Sequence, residues 1–322
     1  MDEIYKRISF GTVRINNEKL RNTAIIDRID MAIFKPQRKM LDLAANQLGT
    51  VGSGNHFIDL FKGEDDYLWI GVHFGSRGFG HKTAMGFIAL SQGLGFTDKA
   101  KEGPMDGKPI LLDRDSPLGW DYFDAMTLAG EYAYAGRDAV VDKVLEILGN
   151  PKVDFKVHNH HNFAWEEDHY GESYMVVRKG CTPAFPGQYG FIGANMLDES
   201  VIIQGLDSVN AKEGLYSTVH GAGRIMSRTA AAGKTKWIRD DNGNKIKTQV
   251  SKGSVNFESV KESMSYSNVV LRGAGPDEAP ECYKSLGDVL QYQGVNDTIE
   301  IKHILTPIGV AMAGDEFDPY KD

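Results

Sequence analysis

Four histidine-centred stretches hold the side chains best suited to chemistry. They are Gly52-Ser53-Gly54-Asn55-His56-Phe57-Ile58-Asp59, His73-Phe74-Gly75-Ser76-Arg77-Gly78-Phe79-Gly80-His81, His158-Asn159-His160-His161-Asn162 and Ser217-Thr218-Val219-His220-Gly221-Ala222-Gly223-Arg224. None has the short regular spacing of a zinc finger or an HExxH helix, so a metal reading rests on accumulation. Several imidazoles beside Gly, Asn or Ser, completed by carboxylate or thiolate, suit Mn, Fe, Co or Zn. Asp59 is placed to orient an imidazole or to bind a ribose. His81, His169 and His303 lack such company and read as ordinary structural side chains.

The His220 stretch follows a different logic. Its glycines leave room for a bulky group on the imidazole, Arg224 and Arg228 offer guanidinium forks to phosphate oxygens, and histidine can serve as a covalent nucleophile. The plain alternative is a glycine-rich turn entering a helix capped by Ser217 or Thr218. Arg77, Arg178 and Lys179 lie near the same loops, which predicts a local cationic groove for a phosphate backbone or a nucleotide triphosphate.

Elements must position these loops. Tyr67 to His73 and Glu172 to Arg178 are short apolar, β-branched or aromatic runs bounded by glycine or charge, and read as strands. Trp120 to Leu148 carries Phe123, Met126, Val140, Val144 and Ile147 at helical spacing and stops at Gly149-Asn150-Pro151. Met85 to Leu94 also reads as a helix. Thr229 to Lys252 reads as a polar hairpin turning at Asn242-Gly243. Helices and strands mix without regular β-α-β alternation, so the fold class is α+β, with mixed and largely antiparallel sheets, in a single domain over residues 1–322.

The bulk composition is that of a globular chain. It has 322 residues, 41% hydrophobic and 25% charged, which argues against disorder, collagen or coiled coil. The net charge of −8 argues against indiscriminate coating of nucleic acid, which needs surplus Lys and Arg. No run approaches the ~20 apolar residues that span a bilayer, and MDEIYKRISF lacks the apolar core of a signal peptide. The expectation is a cytoplasmic protein with no membrane contact, its two cysteines, Cys181 and Cys282, reduced.

Taken together, the stretches resemble the RtcB family of RNA ligases. The matching segments are LGTVGSGNHFID (Leu48 to Asp59), HFGSRGFGH (His73 to His81), HHNFAWEE (His160 to Glu167), RKGCTPAFPGQ (Arg178 to Gln188), STVHGAGRIMSR (Ser217 to Arg228) and DEAPECYKSLGDVL (Asp277 to Leu290), in the family's order. AGEYAYAGRDAV is similar to the helix between the family's second and third histidine motifs. The resemblance implies an enzyme that uses GTP and Mn²⁺ to join RNA 3′-phosphate or 2′,3′-cyclic phosphate ends to 5′-hydroxyl ends, in tRNA splicing or RNA repair.

By the same resemblance, His56, His73 and His161 are imidazole ligands of a Mn²⁺ pair and His220 is the histidine that becomes guanylylated. Asn55, Asp59 and Asn162 contact the nucleotide's phosphates or sugar. Gly193, Ala194, Asn195 and Met196 form a phosphate- and base-contacting loop. Ser217, Gly221, Ala222, Gly223 and Arg224 line the nucleotide beside His220, and Tyr283 lies on the nucleotide side.

The sequence departs from the family pattern in three places. A D-x-G-C-G motif, whose Asp and Cys complete the family's metal site, is not found, and the chain reads as N-terminally shortened. The resemblance then implies either that a separate polypeptide supplies those ligands or that the second ion is lost. Asp59 stands where the family has Glu, and only Lys321 is available near the C-terminus in place of the family's nucleotide-contacting Lys-Gly. The competing readings are a metal-dependent cyclic phosphodiesterase and an inactive RNA-end-binding remnant or subunit of a split ligase.

Overall fold

Burial of an apolar run, Ile58 to Phe61 interrupted only by Asp59, sets the first hairpin. In the computed structural model, which describes residues 1–11, 15, 23–100, 110–239, 245–292 and 295–314, β1 (Phe57–Gly63) pairs antiparallel with β2 (Leu68–His73). Phe57 lies opposite His73 and Phe61 opposite Trp69. The sheet runs β2-β1-β12-β7-β6, with β6 at Tyr189–Ile192, β7 at Ser200–Gly205 and β12 at Ile299–Met312. A short β11 (Val270–Arg272) adds to β12 in parallel.

The 14 residues of β12 make it the spine of the sheet: its first half pairs with β7 and its second half with β1. Pro307 lacks an amide donor and sits opposite Phe61 where the register shifts, the position a sheet tolerates for proline. Two-stranded sheets flank this one: β3 (Asn162–His169) with β4 (Glu172–Lys179), β5 (Cys181–Pro183) with β8 (Ser217–Val219), and β9 (Gly233–Arg239) with β10 (Lys245–Lys252). The architecture is α+β and largely antiparallel, as the sequence predicts.

The helix Pro117–Ile147 starts where Ser116 Oγ accepts from Gly119 N at 3.0 Å and Pro117 takes the first turn, where no amide donor is needed. It stops at Gly149 and Asn150, with φ of 87° and 56°. Val140 and Val144 on its inner face pack with Ile4, Ile8, Phe10, Ile58 and Leu60 to form the core beneath β1. Each such side chain contributes roughly 1.5–3 kcal/mol when fully buried.

Three local expectations change. The helix read at Met85 to Leu94 spans Arg77–Ser91, because Gly78 N donates to Gln47 Oε1 at 2.9 Å and tertiary contacts outweigh glycine's poor helix propensity. Ser217 and Thr218 cap no helix; they lie in β8, and Ser227 caps the following helix Arg228–Ala232 by accepting from Ala230 N at 3.1 Å. The polar excursion pairs as a hairpin from Gly233 to Lys252, and its turn at Asn242-Gly243 falls outside the described residues, as does Lys321. Among the described residues, no helix is long and apolar enough to cross a membrane.

Candidate active site

Strand ends deliver the histidines to one cleft of about 2190 Å³. His73 ends β2, and His56 immediately precedes its register partner Phe57 on β1, so the two rings lie 5.9 Å apart, centroid to centroid. His161 immediately precedes β3. That strand reaches the cleft because Gly130 on the long helix has no side chain: a Cβ there would lie 2.6 Å from a ring carbon of Phe163. His73 Nε2 and His161 Nε2 approach to 3.0 Å.

Burial holds this group neutral. His73 titrates well below the usual imidazole range because it is desolvated and because His56, His161, His220 and Arg137 stand nearby. His161 is pushed down to about 4, by burial first and then by His220 and Arg137. Neutral imidazole is the form that ligates a metal. Among the described residues no group of three His, Cys, Asp or Glu side chains closes into a complete cation site. The convergent Nε2 atoms of the neutral His73 and His161 fit a metal as part of a coordination shell.

His220 follows β8, and the β5–β8 ladder, with Cys181 opposite Val219, sets it beside Gly180. Its Nδ1 lies 2.7 Å from the Gly180 carbonyl oxygen. A carbonyl only accepts, so Nδ1 carries the proton and Nε2 keeps its lone pair. Gly180 N in turn donates to the His161 carbonyl at 2.9 Å, which brings the His161 and His220 rings to 4.6 Å. Burial lowers the pKa of His220; the Gly180 carbonyl opposes this and the Lys179 charge adds to it, so the ring is neutral at pH 7.

The residues expected around a nucleotide form the adjoining wall. Asn55 and Asn162 are exposed at the rim. Gly193 bridges Gly221, and Ala222 N donates to Gly193 O at 3.2 Å, so the two loops present backbone to the cleft. Asn195 turns inward: its Oδ1 accepts from Leu197 N and Asp198 N at 2.9 and 3.0 Å, holding its own loop, and Met196 joins the core. Gly223 and Arg224 line the cleft, with Arg224 donating to Tyr283 OH at 3.0 Å. Asp59 is buried, Oδ1 has no partner, and desolvation pushes its carboxyl far above the usual range. Ser217 alone among the predicted site residues is absent from the cleft wall; its Oγ accepts from Arg178 Nε at 2.9 Å behind it.

The expected cationic groove is largely neutralised. Arg178 is 1% exposed and binds Glu167 with both terminal nitrogens, at 2.6 and 2.9 Å. Arg228 pairs with Asp277 and Glu278, and Glu278 also bonds Tyr283 OH. Desolvated guanidinium groups need such counter-charges. The histidine motifs also gave no sign of Arg137 on the long helix, which donates to His158 Nε2 at 2.9 Å and to the Phe74 carbonyl at 2.8 Å. Its position on the inner, helix-periodic face was the available signal.

A histidine with one nitrogen pinned and the other bare, beside clustered neutral imidazoles, is the arrangement suited to a nucleotidyl- or phosphoryl-transfer centre. The family described as tRNA-splicing ligase RtcB matches residues 15–313, and the chain belongs to that family. It is 37% identical over 198 residues to the RNA-splicing ligase RtcB of Escherichia coli strain K12, covering 57% of this chain and 46% of that protein. It is 28% identical over 314 residues to the tRNA-splicing ligase RtcB of Pyrococcus horikoshii, covering 83% of this chain and 33% of that protein. With the tRNA-splicing ligase RtcB of Archaeoglobus fulgidus it shares 28% identity over 315 residues, 85% of this chain and 61% of the relative. The chain thus spans less than two thirds of the length of these relatives.

Proposed function

We propose that this chain carries the nucleotidyl-transfer centre of a GTP- and Mn²⁺-dependent RNA ligase. It would join RNA 3′-phosphate or 2′,3′-cyclic phosphate ends to 5′-hydroxyl ends through a histidine–GMP intermediate on His220. The observation that carries this reading is the Nδ1–Gly180 hydrogen bond at 2.7 Å, which fixes the tautomer whose Nε2 lone pair faces the cleft.

His220 Nε2 attacks the α-phosphorus of GTP, a substrate consumed in each turnover; the N–P bond forms as the bond to pyrophosphate breaks. No proton moves at this step. The ring becomes cationic with Nδ1–H still on the Gly180 carbonyl, which stabilises the developing charge. An oxygen of the RNA 3′-phosphate then takes the phosphorus from Nε2, and the ring returns to neutrality. The 5′-hydroxyl oxygen finally attacks the phosphorus of the activated end, losing its proton to solvent as GMP leaves; a 2′,3′-cyclic phosphate must first be opened by water to a 3′-phosphate.

His56, His73 and His161 are the residues that would hold Mn²⁺, which when bound supplies charge neutralisation and alignment for in-line displacement. Further oxygen or sulfur ligands come from outside these imidazoles, and a separate chain is one source. The backbone of Gly193, Gly221 and Gly223, with Asn55 and Asn162 at the rim, offers donors to phosphate and sugar. Asp59 lies on the same wall, its buried carboxyl pushed well above the usual range by desolvation.

Incubation with α-labelled GTP and Mn²⁺ tests the reading. The wild-type chain should retain label through denaturing electrophoresis and His220→Ala should retain none. Label of equal intensity on His220→Ala overturns it.

A further inference from the structure

Behind the cleft, a buried polar cluster joins the end of β4 to the strand that delivers His220. At its centre is Arg178, whose guanidinium makes four directed hydrogen bonds: to Glu167 Oε1 at 2.6 Å, Glu167 Oε2 at 2.9 Å, the Leu215 carbonyl at 2.7 Å and Ser217 Oγ at 2.9 Å. Glu167 is held on its far side by His169 Nε2, which donates at 2.9 Å. Trp165 and Phe185 lie 5.1 and 5.9 Å from the guanidinium carbon and fix its plane.

This cluster grips an unusual piece of backbone. Leu215 and Tyr216 have φ of 50° and 48°, the left-handed region that side chains with a Cβ rarely adopt, and two in succession persist only where surroundings enforce them. The Arg178 bond to the Leu215 carbonyl and the Ala184 N bond to the Tyr216 carbonyl, at 2.7 Å each, supply that enforcement. Immediately afterwards the chain enters β8 and reaches His220.

From Arg178 two short covalent paths converge on the same imidazole. Two residues on, just past the end of β4, lies Gly180, whose carbonyl accepts from His220 Nδ1–H; across the guanidinium lies Ser217, three residues before His220. Any shift of β4 against β8 therefore changes the 2.7 Å bond that selects the tautomer. A buried ion pair is a poor stabiliser compared with apolar packing of the same volume, so its geometry is the property that distinguishes it here. Lysine in place of Arg178 keeps the charge and loses the fork.

We propose that Glu167 and Arg178 are positioning residues that lock β4 to the Leu215–Ser217 turn and thereby hold His220 in its Nδ1–H tautomer with Nε2 aimed into the cleft. The inference rests on the reading of His220 as nucleophile, and two separate measurements keep the two apart.

The first is ¹⁵N NMR of histidine-labelled, metal-free protein, with His220 signals assigned by their loss in His220→Ala. Wild type should show a protonated Nδ1 and a pyridine-like Nε2 at His220, whereas Arg178→Lys and Glu167→Gln should show mixed tautomers. The second is the rate of covalent labelling by α-labelled GTP with Mn²⁺, expected to fall about 10- to 100-fold in both variants at unchanged KM for GTP, the usual penalty for losing an orienting partner. A folded Arg178→Lys that keeps the single tautomer and labels at the wild-type rate overturns the proposal. A wild-type chain with the Nδ1–H tautomer, lost in Arg178→Lys, that never takes label supports the positioning role and overturns the nucleophile. If Arg178→Lys does not fold, Ser217→Ala, which leaves the ion pair intact, decides by the same two readouts: a mixed tautomer with slower labelling supports the proposal and wild-type behaviour overturns it.

Discussion

Acidification should unfold this protein through its histidine cluster, and the structure fixes the sign and the scale. His158 and His160 are each pushed down to about 3, by burial first and then by Arg137, and His161 to about 4, by burial, His220 and Arg137, all from the ordinary 6.5. Asp138 opposes the shift at His158 and Lys156 adds to it. His158 cannot gain a proton on Nε2 without losing its 2.9 Å bond from Arg137. The folded pKa values lie below the unfolded ones, so the unfolded chain binds more protons. Stability is then complete above pH 6.5 and is lost as pH falls from there towards about 3. At pH 5 each imidazole lies 1.5 units below the ordinary 6.5, which costs about 2 kcal/mol apiece and about 6 kcal/mol for the three, an upper figure because the sites repel one another. That is comparable with the whole stability of a typical domain, about 5–15 kcal/mol. Urea titrations followed by tryptophan fluorescence at pH 7, 6 and 5 measure it. A midpoint that stays constant across this range refutes the argument that burial keeps these rings neutral.

Further consequences concern the metal shell and the nucleotide wall. His73→Ala and His161→Ala should each lose tight Mn²⁺ uptake, read as unbound Mn²⁺ by electron paramagnetic resonance; uptake equal to wild type would remove both rings from the metal reading. Tyr283→Phe deletes the hydroxyl that accepts from Arg224 and bonds Glu278, leaving a buried carboxyl short of a donor. It should lower stability by about 1–3 kcal/mol in urea unfolding, and an unchanged midpoint would mean that Arg224 and Arg228 satisfy Glu278 without it.

Local sequence carried the parts of this molecule that depend on neighbours in the chain. The strand ending at His73, the long helix with its Gly149-Asn150-Pro151 stop and the antiparallel character of the fold all follow from runs of about ten residues or fewer at a time. The hidden parts depend on partners far apart. Arg224 meets Tyr283 across 59 positions and Arg178 meets Ser217 across 39, with no periodicity to announce either pairing. The role of Ser217 illustrates the difference. A serine before a glycine-rich turn satisfies the local rule for a helix cap, but the β5–β8 ladder claims its backbone and Arg178 claims its hydroxyl.

The cationic groove failed for a related physical reason. Counting arginines near a motif assumes that each charge remains in water, yet Arg178 and Arg228 are drawn into the protein wall together with their counter-charges. Glu167, Asp277 and Glu278 supply those charges here. Arg178 and Arg228 then act chiefly as rigid struts, and their fixed geometry matters more to the site than their sign. Under the proposed reading, an RNA strand at this cleft would meet fewer uncompensated cations than the sequence suggests. The histidine cluster, the backbone donors of the glycine loops and the exposed Lys82 and Lys179 are among the groups on the cleft wall that could recognise phosphates.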